Sequence, residues 1–367
     1  MKREKDIVLR RVVPIALIVI LLALTLGLSI VFISHIEKKE EEEGPSIYSE
    51  YMSYLRDDVR YVDTIKLHSH DAGIVNSHVM ALKTTFLDCQ KDPIYTQLNY
   101  GVRSFDLRVA RSSYTGKGDG VIYFAHGVGI SEISLESALR DMRQFRDEHP
   151  SEFIEIDLVW ESRSETYLSE EDVEYVKSKI NTYLEPEKYA FPAGTDLETI
   201  TMKEMRESGK NFMISSDWCD PAYNSGRSPR NGTMGGADFP HLEDGPAMYQ
   251  YLHDLVGSPD VGAHLLPGFG RSTGEGSGIK KITPLEYMLY DRESFETFMR
   301  YLEENPALLN NIAGFGFDMI TYDYVQPGRA LLLNAIKGTV KPELKNEYVS
   351  LMAMSFNYAI PSMYEIA

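Results

Sequence analysis

The sequence predicts an α/β fold, arranged as a single distorted (β/α) barrel of the TIM type. Short apolar segments alternate with stretches of helical period, which is the pattern of parallel strands joined by helices. Six or more such units within about 300 residues suit one closed barrel better than two domains. Polar residues recur at the ends of predicted strands, where barrel enzymes carry their chemistry.

The individual elements follow from apolar runs and from helix start signals. The predicted strands are Asp63–His68, Val102–Val109, Val121–Ala125, Phe153–Val159, Asn211–Ser215 and Gly314–Val325. The predicted helices are Leu135–Glu148, Ser169–Leu184, Met202–Ser208, Ala247–Val256, Asp291–Glu304 and Gly328–Ile336. The segment from Asp217 to Lys281 is rich in Gly and Pro and is predicted to form long loops.

The N-terminal segment is predicted to anchor the chain in a membrane. Val12–Ile33 is an uncharged run of about 22 residues, long enough to cross a bilayer. Basic residues precede it, which predicts a single span with the N-terminus inside and the rest extracytoplasmic. We predict a tail and transmembrane helix over 1–34, a charged linker over 35–46 and the barrel domain over 47–367. A cleaved signal peptide is the alternative, although no small-x-small site follows the run.

Composition excludes one class of partner. The 367 residues carry a net charge of −18, and an acidic surface of this kind argues against nucleic acid as a partner. A hydrophobic content of 43% is enough for a packed core. The two cysteines, Cys89 and Cys219, are too few for a zinc cluster and could be either a disulfide or two buried thiols.

Polar residues lie where a buried strand should be apolar. Alternation along Val102–Val109 places Ser104, Asp106 and Arg108 on one face. A carboxylate and a guanidinium that point into a barrel must pair with each other or serve a ligand. His70 and His126 end the preceding and the following predicted strands, so a functional cluster is favoured over a purely structural ion pair.

Five segments carry a resemblance to the phosphatidylinositol-specific phospholipase C (X-domain) family. They are SHDAG (69–73), YGVRSFDLRV (100–109), YFAHG (123–127), LRDMRQFRDEHPSEFIEIDL (139–158) and ITYDYVQPG (320–328). The first four follow one another in the order and spacing of that family. The resemblance covers residues 60 to 160 well, fades after them and returns near residue 320. It implies a distorted TIM barrel as the catalytic domain.

The resemblance also implies a mechanism in which two histidines act as acid and base. His70 would be the general base, taking a proton from a headgroup hydroxyl that then attacks phosphorus. Arg108 would stabilise charge on the phosphate, and His126 would protonate the departing glycerol oxygen. Asp71 and Asp106 would orient Arg108 and His126. The products would be diacylglycerol and a cyclic inositol phosphate.

The metal question and the partner of the first histidine also follow from the resemblance. Calcium-dependent relatives carry acidic residues on the strand that here holds Arg108, and Asn at the position of Asp71. We therefore predict no cofactor and no metal, as in the bacterial-like branch.

The carboxylate partner of His70 would come from the last strand. Asp318 and Asp323 both qualify, and the strand-end pattern DYVQPG favours Asp323.

Headgroup recognition is less well defined by the sequence. The family uses a lysine and an arginine on its middle strands, whereas Trp160 or Glu161 and Ser215 or Ser216 stand near those positions here. We predict that Arg163 and Tyr223 contribute to substrate binding. The predicted partner is a phospholipid at a membrane surface.

Two other functions remain as alternatives. His68 and His70 could hold zinc in a metal-dependent barrel hydrolase, because His-x-His at the end of a first barrel strand is a common ligand pattern. The chain could also be a non-catalytic, membrane-anchored barrel that binds a lipid or a glycan, since the middle strands depart from the family pattern.

Overall fold

The structure is a computed structural model that describes most of residues 47–225 and five shorter parts of the C-terminal region. The described residues are 47–69, 71–79, 82–83, 88–90, 92–111, 121–161, 168–196, 199–225, 264–266, 301, 304–305, 312–317 and 329–342. Several predictions lie outside them, namely the membrane span and linker, His70, Arg163, Asp318, Asp323, the helix Ala247–Val256 and most of the helix Asp291–Glu304. Within the described residues, no helix combines the length and hydropathy that a bilayer crossing requires. The domain boundaries and the anchor therefore stay predictions.

The strands form one mixed sheet. They are β1 (Lys66–Ser69), β2 (His78–Val79), β3 (Leu82–Lys83), β4 (Val102–Arg111), β5 (Ile122–His126), β6 (Gly129–Ser134), β7 (Ile154–Trp160), β8 (Phe212–Ser215), β9 (His264–Leu266) and β10 (Ile312–Phe317). Six of them are parallel in the order β9-β10-β1-β4-β7-β8. The α/β fold is thus confirmed. Among the described strands no pairing joins β8 to β9, so closure into a barrel stays a prediction.

Four of the described helices match the sequence predictions closely, and two were not predicted. The described helices are α1 (Ile94–Asn99), α2 (Leu135–Glu148), α3 (Glu170–Tyr183), α4 (Pro186–Tyr189), α5 (Met202–Ser208) and α6 (Arg329–Lys337), with two 3₁₀ turns at Tyr51–Tyr54 and Tyr61–Asp63. The two that were not predicted are α1 and α4. Ser169 and Asp172 form a capping box that starts α3, as the sequence indicated. Along α2 the buried residues recur at helical spacing, so one stripe of that helix packs against the sheet.

The antiparallel part of the sheet corrects one prediction. Residues 121–125 were predicted to form a further parallel barrel strand, but β5 pairs antiparallel with the end of β4, with Val109 opposite Phe124. β5 continues through a short turn into β6, and β2 and β3 complete this antiparallel extension. His126 therefore does not lie at the carboxyl end of a parallel strand. β5 runs back along β4 and returns His126 toward the polar residues of that strand.

A buried ion pair joins three parts of the fold on the other face of β4. Arg103 is fully buried and donates from Nε and Nη2 to Oε2 of Glu152, at 2.9 and 2.8 Å. Glu152 lies just before β7 and also accepts hydrogen bonds from the backbone N–H groups of Met52 and Ser53. The guanidinium additionally donates to the carbonyl of Ser49. The pair thus fixes β4, the start of β7 and the first 3₁₀ turn to one another.

Candidate active site

The inner face of the parallel sheet, meaning the face that carries Ser104, Asp106 and Arg108, is polar along its length. His68 lies opposite Ser104 in the register, and its Nδ1 is 3.0 Å from the Ser104 hydroxyl oxygen. Asp157 on β7 is aligned with Asp106 on β4, and residues aligned in this way point to the same side. His68 therefore contacts Ser104 on the same face of the sheet. It is not part of the group of possible metal ligands found among the described residues.

The turn that follows β1 places Asp71 at the centre of the site. Asp71 has a φ of 44°, a left-handed conformation that Asp tolerates better than most residues. The turn is held by the N–H of Ala72, which donates to the carbonyl of Asp106 at 2.8 Å. The Asp71 side chain is completely buried. Its two oxygens face two different groups, Arg108 and His126.

Arg108 is surrounded by carboxylates. Its Nε lies 2.7 Å from Asp71 Oδ1 as an ion pair, while the hydrogen bonds of Nε and Nη2 are donated to Asp106, the shortest at 2.7 Å. Glu161 is a third carboxylate, with Oε2 at 3.9 Å from Nη1. Burial by itself lowers the pKa of Arg108, but the charges of Asp106 and Asp71 outweigh it and raise the pKa above its usual value. The guanidinium is therefore fixed and permanently charged.

His126 lies on the other side of Asp71. Its Nε2 is 3.9 Å from Asp71 Oδ2, and 30% of its side chain is exposed. Its Nδ1 is 3.5 Å from the sulfur of Cys89, and that sulfur is also 3.8 Å from Asp71 Oδ2. The structure thus brings together four of the predicted site residues, Asp71, Asp106, Arg108 and His126. The exposed part of the imidazole makes this cluster accessible to a ligand.

Of the other predicted site residues, Tyr223 is the one that the described part of the chain includes. Tyr223 follows β8 and packs partly buried against the hydrophobic core, and its role stays a prediction. Ser216 is buried, and its hydroxyl accepts a hydrogen bond from the N–H of Trp218. His70 lies between the described residues Ser69 and Asp71, but is itself outside the described residues, as are Arg163 and Asp323.

Two residues of the site were not predicted to belong to this cluster, although Glu161 had been placed near the position of the family's lysine. Glu161 directly follows β7, and the ends of neighbouring parallel strands meet at one edge, so its position was a usable signal. Cys89 gave no such signal, because it lies in an irregular segment. The N–H groups of Cys89 and Gln90 both donate to the carbonyl of Ile74, and these bonds hold the thiol beside the Asp71 turn.

The glycine of the Asp71 turn is required by a close contact with β5. A Cβ at Gly73 would lie 2.2 Å from two ring atoms of Phe124, and Phe124 is fully buried two residues before His126. We expect Gly73→Ala to lower the free energy of unfolding by about 1–3 kcal/mol, because the buried ring must move. A urea titration of the full chain measures this change.

The control for that prediction shortens the opposing side chain. Phe124→Leu removes the ring that the new methyl group of Gly73→Ala meets. Phe124→Leu should therefore lower the free energy of unfolding less in the Gly73→Ala background than in the parent. Equal stability of Gly73→Ala and the parent would show that the turn and β5 are not packed as described.

Comparison with known proteins places the fold in a class of solved structures, the phosphatidylinositol-specific phospholipases C of bacteria. The enzyme from Listeria monocytogenes aligns with a TM-score of 0.52 and 17% sequence identity, over 78% of this chain and 98% of its own. The S. aureus enzyme aligns with a TM-score of 0.50 and 17% identity, over 77% and 96%. No protein-family model and no curated protein sequence matches the chain. At this identity the likeness shows the fold, and activity has to be argued from the site.

Proposed function

We propose that the chain is a phospholipase C that cleaves a phosphatidylinositol-type lipid to diacylglycerol and a cyclic inositol phosphate. The observation that carries the proposal is the Asp71 carboxylate, which faces Arg108 with one oxygen and His126 with the other. A guanidinium is suited to the oxygens of a phosphodiester, and an imidazole beside it is suited to proton transfer. The fold likeness to bacterial enzymes of this activity supports the same assignment.

The proposed reaction is an in-line displacement at phosphorus. His70 takes the proton of the inositol 2-hydroxyl, and that oxygen forms a bond to phosphorus as the bond from phosphorus to the glycerol oxygen breaks. His126 gives its proton to the departing glycerol oxygen, so diacylglycerol leaves neutral and the phosphate becomes cyclic. The nucleophile belongs to the substrate itself, so the attack is intramolecular and proximity supplies much of the rate.

Each remaining residue of the proposed site has a positioning or binding role. Asp106 and Asp71 hold the charged guanidinium of Arg108 against the phosphate position, and Asp71 also orients His126. Asp323 would orient His70, with Asp318 as the alternative. Arg163 and Tyr223 would contact the headgroup. Glu161 stands near the position of the family's lysine, so we expect headgroup contacts that differ from those of the bacterial enzymes.

The proposed setting is a membrane surface. A span over residues 12–33 would tether the catalytic domain on the extracytoplasmic side, within reach of its lipid substrate. The net charge of −18 makes nucleic acid an unfavourable partner.

Activity is expected to persist in excess EGTA or EDTA. The Arg108 guanidinium supplies at the phosphate the positive charge that calcium supplies in calcium-dependent relatives, so no divalent cation is required. The measurement is diacylglycerol release from phosphatidylinositol vesicles with and without chelator. Activity that chelation abolishes and Ca²⁺ restores would contradict this role of Arg108.

A panel of headgroups tests the proposal as a whole. Vesicles of phosphatidylinositol, phosphatidylcholine, phosphatidylethanolamine and phosphatidylglycerol are each incubated with the full chain, and diacylglycerol is quantified. We expect release from phosphatidylinositol and none from phosphatidylcholine or phosphatidylethanolamine, because the last two headgroups have no hydroxyl that could close a five-membered ring. Phosphatidylglycerol, whose headgroup 2-hydroxyl could close such a ring, reports whether the site selects inositol. His70→Ala should abolish this release. Binding to vesicles without release from any lipid would favour a non-catalytic lipid-binding domain.

A further inference from the structure

A thiol, an imidazole and a carboxylate converge at the edge of the site, and the proposed reaction does not use the thiol. Asp71, Cys89 and His126 each offer one ligand atom, and these atoms all lie within 4.8 Å of one another. The three residues come from separate parts of the chain, namely the turn after β1, the segment before α1, and β5. Backbone hydrogen bonds fix the first two, from Ala72 to Asp106 and from Cys89 to Ile74.

We propose that Asp71, Cys89 and His126 form a binding site for a thiophilic divalent cation such as Zn²⁺, and that occupancy of this site inhibits the enzyme. In tetrahedral zinc coordination, a sulfur and a nitrogen ligand are about 3.5 Å apart, as follows from metal–ligand distances of about 2.3 and 2.0 Å. The Cys89 sulfur and His126 Nδ1 are 3.5 Å apart, and the sulfur is 3.8 Å from Asp71 Oδ2. The two spacings that involve the sulfur are therefore close to those that tetrahedral coordination requires.

The charge around the site also favours a cation. Among the described residues, three buried carboxylates, Asp71, Asp106 and Glu161, lie around the guanidinium of Arg108. Carboxylates close to a divalent cation interact favourably with it. Access is possible from the His126 side, where the imidazole is partly exposed.

The ligand types select the metal. Thiolate and imidazole are ligands of Zn²⁺ and of softer ions such as Cd²⁺, whereas Ca²⁺ and Mg²⁺ require shells of oxygen ligands. Binding converts the Cys89 thiol to a metal thiolate and releases its proton to solvent. Three protein ligands leave the fourth zinc position to water.

Inhibition follows from the residues that the metal occupies, and this part rests on the proposed function. A metal on His126 removes the imidazole as a proton donor to the glycerol oxygen. A metal on Asp71 also occupies the carboxylate oxygen that faces His126. Zn²⁺ is therefore expected to lower turnover, and a chelator is expected to restore it.

The test of binding uses Co²⁺, whose bond to a thiolate gives a charge-transfer absorption band in the near ultraviolet. The chain has two cysteines, both buried and neither in a disulfide, so Cys219 is a matched control for Cys89. We expect one equivalent of Co²⁺ to give the band in the metal-free full chain and in Cys219→Ser, and Zn²⁺ to displace it. The band in Cys219→Ser identifies Cys89 even where a Cys89 variant folds poorly.

Cys89→Ser and His126→Ala should both weaken Zn²⁺ binding in calorimetry. Loss of an outer partner of a metal ligand costs about 10–100-fold in affinity, so loss of a direct ligand should cost at least about 100-fold. A band absent from the parent, or lost in Cys219→Ser and kept in Cys89→Ser, would overturn the proposed site.

The inhibition is measured on each variant relative to its own rate in chelator. We expect Zn²⁺ to inhibit the parent and Cys219→Ser, Ca²⁺ and Mg²⁺ to leave the rate unchanged, and Cys89→Ser to need about 100-fold more Zn²⁺. A thiolate band without any lipid cleavage would refute the proposed function and support the metal site. Lipid cleavage without a thiolate band would support the proposed function and refute the metal site.

Discussion

Replacing His126 with alanine is expected to lower kcat for phosphatidylinositol cleavage by about 10²–10⁴-fold, the usual contribution of a positioned general acid. The glycerol oxygen is a poor leaving group unless it is protonated as its bond to phosphorus breaks. His126 is the described imidazole that lies beside both Asp71 and the Arg108 cluster. Its loss should leave substrate binding, read from KM under slow turnover, much less affected than kcat.

A change of leaving group distinguishes this role from a structural one. In a nitrophenyl ester of inositol phosphate, the nitrophenolate leaves without being protonated. The loss of kcat in His126→Ala should therefore be much smaller on that substrate than on phosphatidylinositol. A misfolded variant would be equally impaired on both substrates. His78→Ala is the control, because His78 is a half-buried imidazole on β2 that pairs with Glu132 at 3.5 Å. An equal defect on both substrates would remove His126 from the role of proton donor.

Removing the carboxylate of Glu152 is expected to have the largest effect on stability. Glu152→Ala would leave the fully buried guanidinium of Arg103 without its counter-charge, and would remove the acceptor for the N–H groups of Met52 and Ser53. Breaking a buried pair in this way costs about 3–5 kcal/mol. Domains are commonly stable by about 5–15 kcal/mol, so the variant should unfold at a much lower urea concentration.

Two comparisons separate this effect from the general cost of a substitution. Asp58→Ala breaks the exposed pair with Arg56 and should change the free energy of unfolding by about 0–1 kcal/mol. Replacing Arg103 and Glu152 together by methionine should cost less than Glu152→Ala alone, because no buried charge then remains unpaired. Similar stability of Glu152→Ala and Asp58→Ala would contradict the described burial.

Most of the long helices and parallel strands could be predicted from the sequence because their signals are local. The short parallel strand β9 was not, since it lies in the segment that was predicted to form long loops. The capping box at Ser169 and the apolar stripe of α2 each depend on residues within a few positions of one another. The direction of β5 was predicted wrongly, because strand direction depends on pairing with β4 and not on the residues of β5 itself. His126 was identified through the resemblance, and the antiparallel return of β5 is what brings it to Asp71.

The site was predicted where residues alternate along a strand or follow its end. Asp106 and Arg108 share a face of β4, and Asp71 follows β1, so their meeting could be expected. The approach of Cys89 depends on two backbone hydrogen bonds to Ile74, and that of Gly73 on the ring of Phe124. Such contacts between distant segments leave no periodic trace in the sequence.

Phosphorus NMR of phosphatidylinositol vesicles incubated with the full chain in chelator tests the proposed chemistry most directly. We expect the lipid phosphodiester resonance to decline while the downfield resonance of a five-membered cyclic phosphate rises, before any acyclic phosphate appears. An unchanged lipid signal, or direct conversion to an acyclic phosphate with no cyclic species, would contradict attack by the headgroup hydroxyl within a site built on Arg108 and His126.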